Sequence, residues 1–329
     1  MYALINEKVT KIDTVTFASL KMKESKIEEI LRNNIELIVE DDESLLIIGQ
    51  QVSDSTNKRS DLIAIDSNGN LVLIEIKRDK QDIESRKEAF EIQAIRYAAS
   101  CATIEDENQL IQIYSKYIEK HRTEYENAGN LTTQEIAKRE FEQFKNQNNI
   151  NQFNAKQRII LVASNFDEQT LSAVAWLNSN NVDISCYQIC PYLYDDHIFI
   201  EPQKILPVVE YDDFYVSLNK PDKLQKKPQS NITKRVLPRI DKLLEWNVVY
   251  VGDILIAKGS NPESRAILQE SGKVKVNEDV MSILAWLKSV YHWSNVDTYK
   301  FTIQEKTNKT LYQLRAEKME KMEKQDLAE

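Results

Sequence analysis

Two short apolar segments, DLIAID at residues 61–66 and LVLIEIK at residues 71–77, are separated by only the four residues SNGN. Apolar runs of this length around a turn signal that contains Asn-Gly predict two antiparallel strands joined by a tight hairpin. Glu75 and Lys77 interrupt the second run, although a charge inside an apolar strand is costly unless it has a use. These two residues are therefore the first candidates for a functional site.

The length of the turn decides which residues of the hairpin share a face. A two-residue turn would pair Leu62 with Glu75 and would put Asp61 on the opposite face of the sheet. A three-residue loop at residues 67–69, with its final glycine in the left-handed conformation, would instead pair Asp61 with Glu75. Only the second register brings the two carboxylates together, and Lys77 shares the face of Glu75 in either case.

Two carboxylates and a lysine on one face predict a metal site. The carboxylates of Asp61 and Glu75 would repel each other unless a proton or a cation lay between them, and hard oxygen ligands suit Mg²⁺ or Mn²⁺. Such a cation can activate water and offset the charge of a phosphodiester, while Lys77 orients the water or the phosphate. The alternative is a solvated strand end with a surface ion pair, which needs no function.

Helical patterns flank the strands on both sides. ESKIEEILRNNIELI has apolar residues at helical spacing, with Ser25 as a candidate N-cap and Glu28 three residues later. SLLIIGQQV predicts a strand ahead of the hairpin, and FEIQAIRYAASCA predicts a helix after it. Gln93 and Tyr97 lie one turn apart on that second helix and would project from one stripe toward substrate or Lys77.

The rest of the chain divides at a polar segment that contains prolines and a lysine run. Before it, RIILVAS, DEQTLSAVAWLNSNN and ISCYQICPYL predict a strand, a helix and a strand that extend the sheet with parallel strands. After it, VGDILIAKG and GKVKVNED predict short strands and VMSILAWLKSVYHW predicts a helix. We therefore predict a mixed α/β domain at residues 1–208, a linker at 209–232, a small α+β module at 233–307 and a charged helical tail at 308–329.

Composition limits the functions that are open to this chain. Its formal net charge of −9 argues against a protein that coats nucleic acid non-specifically, but it leaves room for a local basic cleft. The sequence has no secretory signal pattern and no membrane-spanning apolar run, so we expect a cytoplasmic protein without a membrane partner. The missing phosphate-binding loop, zinc-protease motif and GxSxG elbow argue against an ATP-driven motor and against those two hydrolase classes.

The order of these elements resembles the PD-(D/E)XK nuclease superfamily, and is most similar to its RecB-like and NucS-like branches. A helix and a strand are followed by DLIAID, the turn, LVLIEIK, and then QAIRY on a helix. The resemblance covers residues 20–207 and implies a restriction-endonuclease-like mixed sheet flanked by helices. The residues that match the pattern Asp, Glu-x-Lys, Gln-x-x-x-Tyr are Asp61, Glu75, Lys77, Gln93 and Tyr97.

The resemblance implies roles for these residues. Asp61 and Glu75 would bind the metal together with the carbonyl oxygen of Ile76, and Lys77 would be catalytic or would orient the reacting groups. Gln93 and Tyr97 would complete the catalytic set.

The family often adds an acid from its first helix, where this sequence has both Glu24 and Glu28. We favour Glu28 as a member of the catalytic set, and the alternative is a capping role.

Basic residues cluster around the same segment of an otherwise acidic chain. They predict a local DNA-binding cleft, and the alternative is a solvated helix face. The residues are Arg59, Arg78, Lys80, Arg86, Lys87 and Arg96.

The C-terminal segment from Val251 to Ile303 is similar to the RAMA module, which is named for its association with restriction enzymes and adenine methylases. This resemblance implies recognition of DNA, including modified DNA. The alternative is a packing or oligomerisation module with Trp286 and Trp293 in its core. The matching features are Gly252 and Asp253 before a strand, Arg265 and Ala266, the turn at Ser271 and Gly272, and a helix that ends near Trp293.

These patterns together predict a Mg²⁺-dependent DNA endonuclease of restriction, phage defence or repair. DNA is the expected partner, with modified DNA as a candidate ligand of the C-terminal module and a second copy of the chain as a candidate partner. One alternative is a catalytically inactive nuclease fold that binds nucleic acid or a protein. A second alternative is a nuclease directed at RNA.

Overall fold

The computed structural model describes residues 1–5, 7–53, 59–85, 88–207, 237–260 and 262–326. The linker predicted at 209–232 lies outside these residues, as do Arg86 and Lys87. The chain folds as two compact units. The first unit is drawn from Met1–Ile38, Ile47–Glu142 and Asn151–Arg235, and the second from Val39–Leu46, Gln143–Ile150 and Val236–Glu329.

A six-stranded mixed sheet forms the centre of the first unit. Two short strands at the start of the chain, β1 (Tyr2–Ile5) and β2 (Lys8–Lys11), form a separate hairpin. The strands of the six-stranded sheet are β3 (Leu45–Ser53), β4 (Arg59–Asp66), β5 (Leu71–Ile76), β6 (Gln157–Ala163), β7 (Ile184–Tyr194) and β8 (His197–Leu206). Strands β3 to β8 lie in the sheet in chain order. The pairs β4–β5 and β7–β8 are antiparallel, whereas β6 is parallel to both β5 and β7.

Helices flank this sheet, so the predicted mixed α/β architecture is confirmed at that level. The helices are α1 (Glu24–Asn33), α2 (Lys80–Glu84), α3 (Phe90–Cys101), α4 (Glu107–Lys120), α5 (Thr133–Gln147) and α6 (Glu168–Ser179), with 3-10 turns at Ile35–Leu37 and Arg122–Ala128. Helix α3 packs on β5 and β6, α6 packs on β7, and α1 contacts β4 and β5. The parallel extension through β6, α6 and β7 is confirmed, whereas β8 was not predicted from the sequence.

The hairpin between β4 and β5 has the three-residue loop that the paired carboxylates require. The backbone N–H of Asp66 donates to the carbonyl oxygen of Asn70 over 3.0 Å, and Gly69 has a φ of +82°. The register that follows along the two strands sets Asp61 opposite Glu75. Of the two registers that the sequence allows, the structure has the one that sets the two acids opposite each other. Glycine is at the left-handed position of the loop because other residues are strained there.

One prediction for the first helix is wrong. Helix α1 has Lys23 as its N-cap, with extended backbone and no capping side chain, and Ser25 lies inside the helix. Glu28 therefore cannot form a capping box with Ser25. The tertiary position of α1 has overridden the local capping preference.

The second unit contains a six-stranded sheet in the order β12-β11-β10-β9-β13-β14, with antiparallel pairing throughout. Its strands are β9 (Ile254–Ala257), β10 (Arg265–Leu268), β11 (Lys273–Val276), β12 (Asp279–Ser282), β13 (Thr302–Gln304) and β14 (Lys309–Thr310). Its helices are α7 (Ile240–Glu245), α8 (Ile283–Tyr291) and α9 (Leu311–Asp326), with a 3-10 turn at Glu270–Gly272. None of the helices in the described ranges is long and apolar enough to cross a membrane.

Aromatic side chains form the core of the second unit. Trp293 stacks on Tyr291 with ring centroids 5.0 Å apart and meets Phe301 edge-on at 5.1 Å. Trp286 and Trp293 are both buried, as the packing interpretation of this module expects.

The segment predicted as a tail from residue 308 contributes to the same unit. Leu311, at the start of α9, is fully buried. The guanidinium of Arg315 lies 4.0 Å from the ring centroid of Tyr299. The first turns of α9 are therefore packed against the unit, through the apolar side chain of Leu311 and the cation–π contact of Arg315.

We expect Gly272→Ala to destabilise the second unit more than Gly252→Ala. Both glycines have a positive φ, +72° and +93°, so alanine is strained at either position by about 1 kcal/mol. A Cβ at Gly272 would also collide with the side chain of Ile240, whereas one at Gly252 would have no described heavy atom within 4 Å. Urea unfolding should show losses of about 2–4 kcal/mol and about 1 kcal/mol, respectively. Equal losses would contradict this packing of Ile240.

Candidate active site

Asp61 on β4 and Glu75 on β5 form a buried cross-strand pair, with exposed fractions of 7% and 0%. One carboxylate oxygen of Asp61 accepts the N–H of Ile76 over 2.8 Å, and the N–H of Asp61 lies 3.4 Å from Oε1 of Glu75. Each carboxylate is thus held against the backbone of the opposite strand. Hydrogen bonds to a carboxylate favour its charged form, so the backbone partly offsets the cost of burying two acids.

Lys77 is the residue that most needs an explanation, because its side chain is only 2% exposed. Its ammonium donates to the carbonyl oxygen of Ile76 over 2.6 Å and lies 3.5 Å from Oε1 of Glu24 and 3.9 Å from Oδ2 of Asp61. The ring of Phe90 covers it at 5.2 Å from the centroid. A buried lysine is rare unless it is paired, and here two acids and a carbonyl supply the pairing.

Two of the acids of helix α1, Glu24 and Glu28, reach the site. Glu24 contacts Lys77, whereas Oε2 of Glu28 accepts a hydrogen bond from the side-chain amide of Gln51. The same amide nitrogen lies 3.3 Å from Oδ1 of Asp61. Glu28 is therefore linked to the carboxylate pair through Gln51, and Glu24 is linked to it through Lys77.

Glu28 has an environment that is unusual for a carboxylate. Its exposed fraction is 2%, and Oε1 is buried without a hydrogen-bond partner among the described residues. Burial raises the pKa of Glu28 and the charge of Asp61 raises it further, against the opposite effect of the amides of Gln50 and Gln51. A buried oxygen in this state can accept a proton or a cation.

Gln93 and Tyr97 approach the site from helix α3. The amide of Gln93 donates to Oε2 of Glu75 over 3.3 Å. Burial raises the pKa of Tyr97, and the charge of Glu75 raises it further. Gln93 therefore contacts Glu75, the acid of β5, and Tyr97 lies near enough for the charge of Glu75 to act on it.

The oxygen atoms of this site suit a hard divalent cation as ligands. Glu28, Asp61 and Glu75 offer carboxylate oxygens, and Ile76 offers a carbonyl oxygen that accepts the ammonium of Lys77 in this structure. Mg²⁺ and Mn²⁺ prefer such oxygen ligands. In the described residues no group of three or more His, Cys, Asp or Glu side chains is arranged to hold a metal ion. The ligand set implied by the resemblance contains only two side chains, Asp61 and Glu75, besides the carbonyl.

Three of the six predicted DNA-binding residues form ion pairs with nearby acids. Arg59, at the start of β4, is exposed, whereas Arg86 and Lys87 lie outside the described residues. The other three each form an ion pair with a glutamate or aspartate of the same stretch of chain. The pairs are Arg78 with Asp79 and Asp82, Lys80 with Glu84, and Arg96 with Glu88.

Sequence reasoning missed Gln51 as a member of this site. The only local signal is that Gln50 and Gln51 interrupt the apolar strand SLLIIGQQV, as Glu75 and Lys77 interrupt theirs. Polar residues inside an apolar strand need partners. That signal could have identified the position, although not the carboxylates that Gln51 contacts.

Comparisons with known proteins assign no function to this site. No protein-family model, no curated protein and no solved structure matches the chain. Its chemistry is therefore defined by its own residues: a buried lysine, a cross-strand carboxylate pair and two acids from helix α1.

We expect Glu28→Gln to change how stability depends on pH. Because the folded-state pKa of Glu28 is raised above the ordinary 4.5, the wild type loses stability as the pH rises from 4.5 through that raised value. The variant has no carboxyl group there and lacks this loss. The free energy of unfolding of the variant minus that of the wild type, measured in urea with a chelator, should therefore increase with pH.

The neighbouring Glu29→Gln gives a control of opposite sign. Arg32 lowers the pKa of Glu29 to about 2, so Glu29 stabilises the wild type above pH 4.5 and loses this effect as the pH falls toward 2. The wild type should exceed this variant in stability at neutral pH, and the difference should vanish in acid. A pH-independent difference for Glu28→Gln would contradict the buried state of Glu28.

Proposed function

We propose that this chain is a divalent-cation-dependent endonuclease that hydrolyses phosphodiester bonds in DNA. The observation that carries the proposal is the burial of Lys77 between Glu24, Asp61 and the carbonyl of Ile76. Charges buried in this way add little to stability compared with well-packed apolar side chains. Lys77 can bind a substrate that carries negative charge, and the acids can bind a cation.

The cation would be held by Asp61 and Glu75 with the carbonyl oxygen of Ile76, and Glu28 is linked to Asp61 through the amide of Gln51. When bound, Mg²⁺ or Mn²⁺ supplies the ability to activate water and to offset the negative charge of a phosphate. The amide of Gln93 fixes one oxygen of Glu75. Ligands that are oriented before the substrate arrives lower the cost of binding and of reaction.

Besides the bound cation, the ammonium of Lys77 supplies positive charge to the site. Its ammonium has three donors, and a phosphodiester oxygen or a water molecule can replace one of its present partners, Glu24 or Ile76. In hydrolysis a water molecule loses a proton and its oxygen forms a bond to phosphorus, while the bond from phosphorus to one sugar oxygen breaks and that oxygen takes up a proton. Negative charge grows on the phosphoryl oxygens in that step, and a fixed ammonium in a buried site stabilises it.

The finer fold assignment belongs to the same proposal. We infer that the first unit is a restriction-endonuclease-like fold of the PD-(D/E)XK type. The order α1, β3, β4, β5, α3 and the position of the paired acids on β4 and β5 support this assignment.

We further propose that the second unit recognises DNA, including modified DNA. The turn features that resemble a RAMA module support this proposal, since Gly252 and Gly272 both have the positive φ that favours glycine.

Lys77→Met and Glu75→Gln should each slow cleavage strongly. Purified protein with Mg²⁺ or Mn²⁺ should nick supercoiled DNA, and each variant should slow this reaction by at least about 100-fold, because it removes a charge that acts on the reacting phosphate or its cation. Lys138→Met is the matched control, since Lys138 lies exposed on α5 beside Glu142. Its nicking rate should equal that of the wild type.

The same assay separates the alternatives. Full activity in Lys77→Met or Glu75→Gln would contradict the proposed site. Salt-sensitive DNA binding without cleavage under any divalent cation would identify an inactive nuclease fold. Faster cleavage of RNA than of DNA of matched sequence would identify an RNA-directed nuclease.

A further inference from the structure

Gln51 has a backbone conformation that is unusual for a strand residue. It lies in β3 with a φ of +55°, in the left-handed region. That region costs a residue other than glycine roughly 1–2 kcal/mol, and it persists only where the surroundings enforce it. Strain of this kind is concentrated at functional sites, so the contacts of the Gln51 side chain decide what it does.

The left-handed conformation changes the direction of two successive side chains. In a regular strand, Gln50 and Gln51 would point to opposite faces of the sheet. Here both amides reach helix α1, where Gln50 donates to Glu29 over 3.4 Å and Gln51 donates to Glu28 over 2.5 Å. A local irregularity in a strand commonly serves to aim a side chain in this way.

The amide of Gln51 lies between two acids of the candidate site. Its nitrogen donates to Oε2 of Glu28 and to Oδ1 of Asp61, over 2.5 and 3.3 Å. An amide nitrogen has two hydrogens, so this position satisfies one oxygen on each carboxylate. With Oε2 of Glu28 held, the buried and unpartnered Oε1 of the same carboxylate is fixed in direction.

We propose that Gln51 is a positioning residue of the cation site. It holds Glu28 and Asp61 together against their repulsion and leaves Oε1 of Glu28 available to a divalent cation. This inference depends on the proposed function, because it assumes that these acids bind a cation. Hydrogen-bond partners that orient metal ligands are worth about 10- to 100-fold in metal affinity.

The test is the affinity of the full chain for Mn²⁺ alone, measured by calorimetry without DNA. Gln51→Gly is the first variant, because glycine adopts the left-handed conformation readily and the change removes only the side chain. We expect its Kd for Mn²⁺ to rise about 10- to 100-fold. Gln51→Asn is the second variant, since asparagine tolerates this conformation but has a shorter side chain, and it should also bind Mn²⁺ more weakly.

Gln157→Ala is the matched control. The amide of Gln157 also donates to two oxygens, both of Asn154, but Gln157 pairs with Leu71 at the end of β5 that is remote from Glu75. Its Kd for Mn²⁺ should equal that of the wild type. A general loss of stability would weaken Mn²⁺ binding in Gln157→Ala and Gln51→Gly alike. A positioning role of Gln51 would weaken it only in the Gln51 variants.

The possible outcomes separate this inference from the proposed function. If the wild type binds Mn²⁺ and the two Gln51 variants bind it equally well, Gln51 has only a structural role and the inference fails alone. Tighter binding by these variants would also overturn it, because the amide would then compete with the cation. If the wild type binds neither Mn²⁺ nor Mg²⁺, the proposed function fails and the inference fails with it.

Discussion

The left-handed conformation of Gly69 is the constraint on which the candidate site depends. It closes a three-residue loop, and that loop sets Asp61 opposite Glu75. A shift of one residue would turn Asp61 to the other face and would leave Lys77 without one of its acids. The parallel pairing of Glu75 with Leu161 then buries the second strand of the hairpin inside the sheet. The conformation of Gly69 therefore determines which acids share the site, and the pairing of β5 with β6 determines their burial.

A buried cluster of charged side chains lowers the stability of the fold, and such clusters are kept where they serve a function. Glu28, Asp61 and Glu75 are acids that repel one another when they are ionised, and the ammonium of Lys77 lies 3.9 Å from Oδ2 of Asp61. Backbone N–H groups and the amide of Gln51 offset part of the repulsion, but they do not remove it. Conflicts between local preference and global fold are expected at functional sites, and they cluster here rather than in the apolar remainder of the sheet.

The sequence predicts those parts of the molecule that follow from local patterns. The β4–β5 hairpin is an example, because the loop length fixes its register. Strand β8 was not predicted, since its residues are mostly exposed and show no apolar alternation. The N-cap at Ser25 was wrong because packing placed the helix start at Lys23. The role of Gln51 depends on a backbone conformation that glutamine rarely adopts, so no residue pattern could predict it.

The distribution of charge bears on how such a protein would hold DNA. The chain has a net charge of −9, and Arg78, Lys80 and Arg96 already pair with acids. A phosphate that binds Arg78 or Arg96 must replace a carboxylate, so it gains less than it would from an unpaired basic group. Under the proposed function, these three residues would then add little attraction to the DNA backbone, whereas the cation and Lys77 would contribute to it directly. Binding and chemistry would share the same few charges, and substrate affinity would itself depend on the divalent cation.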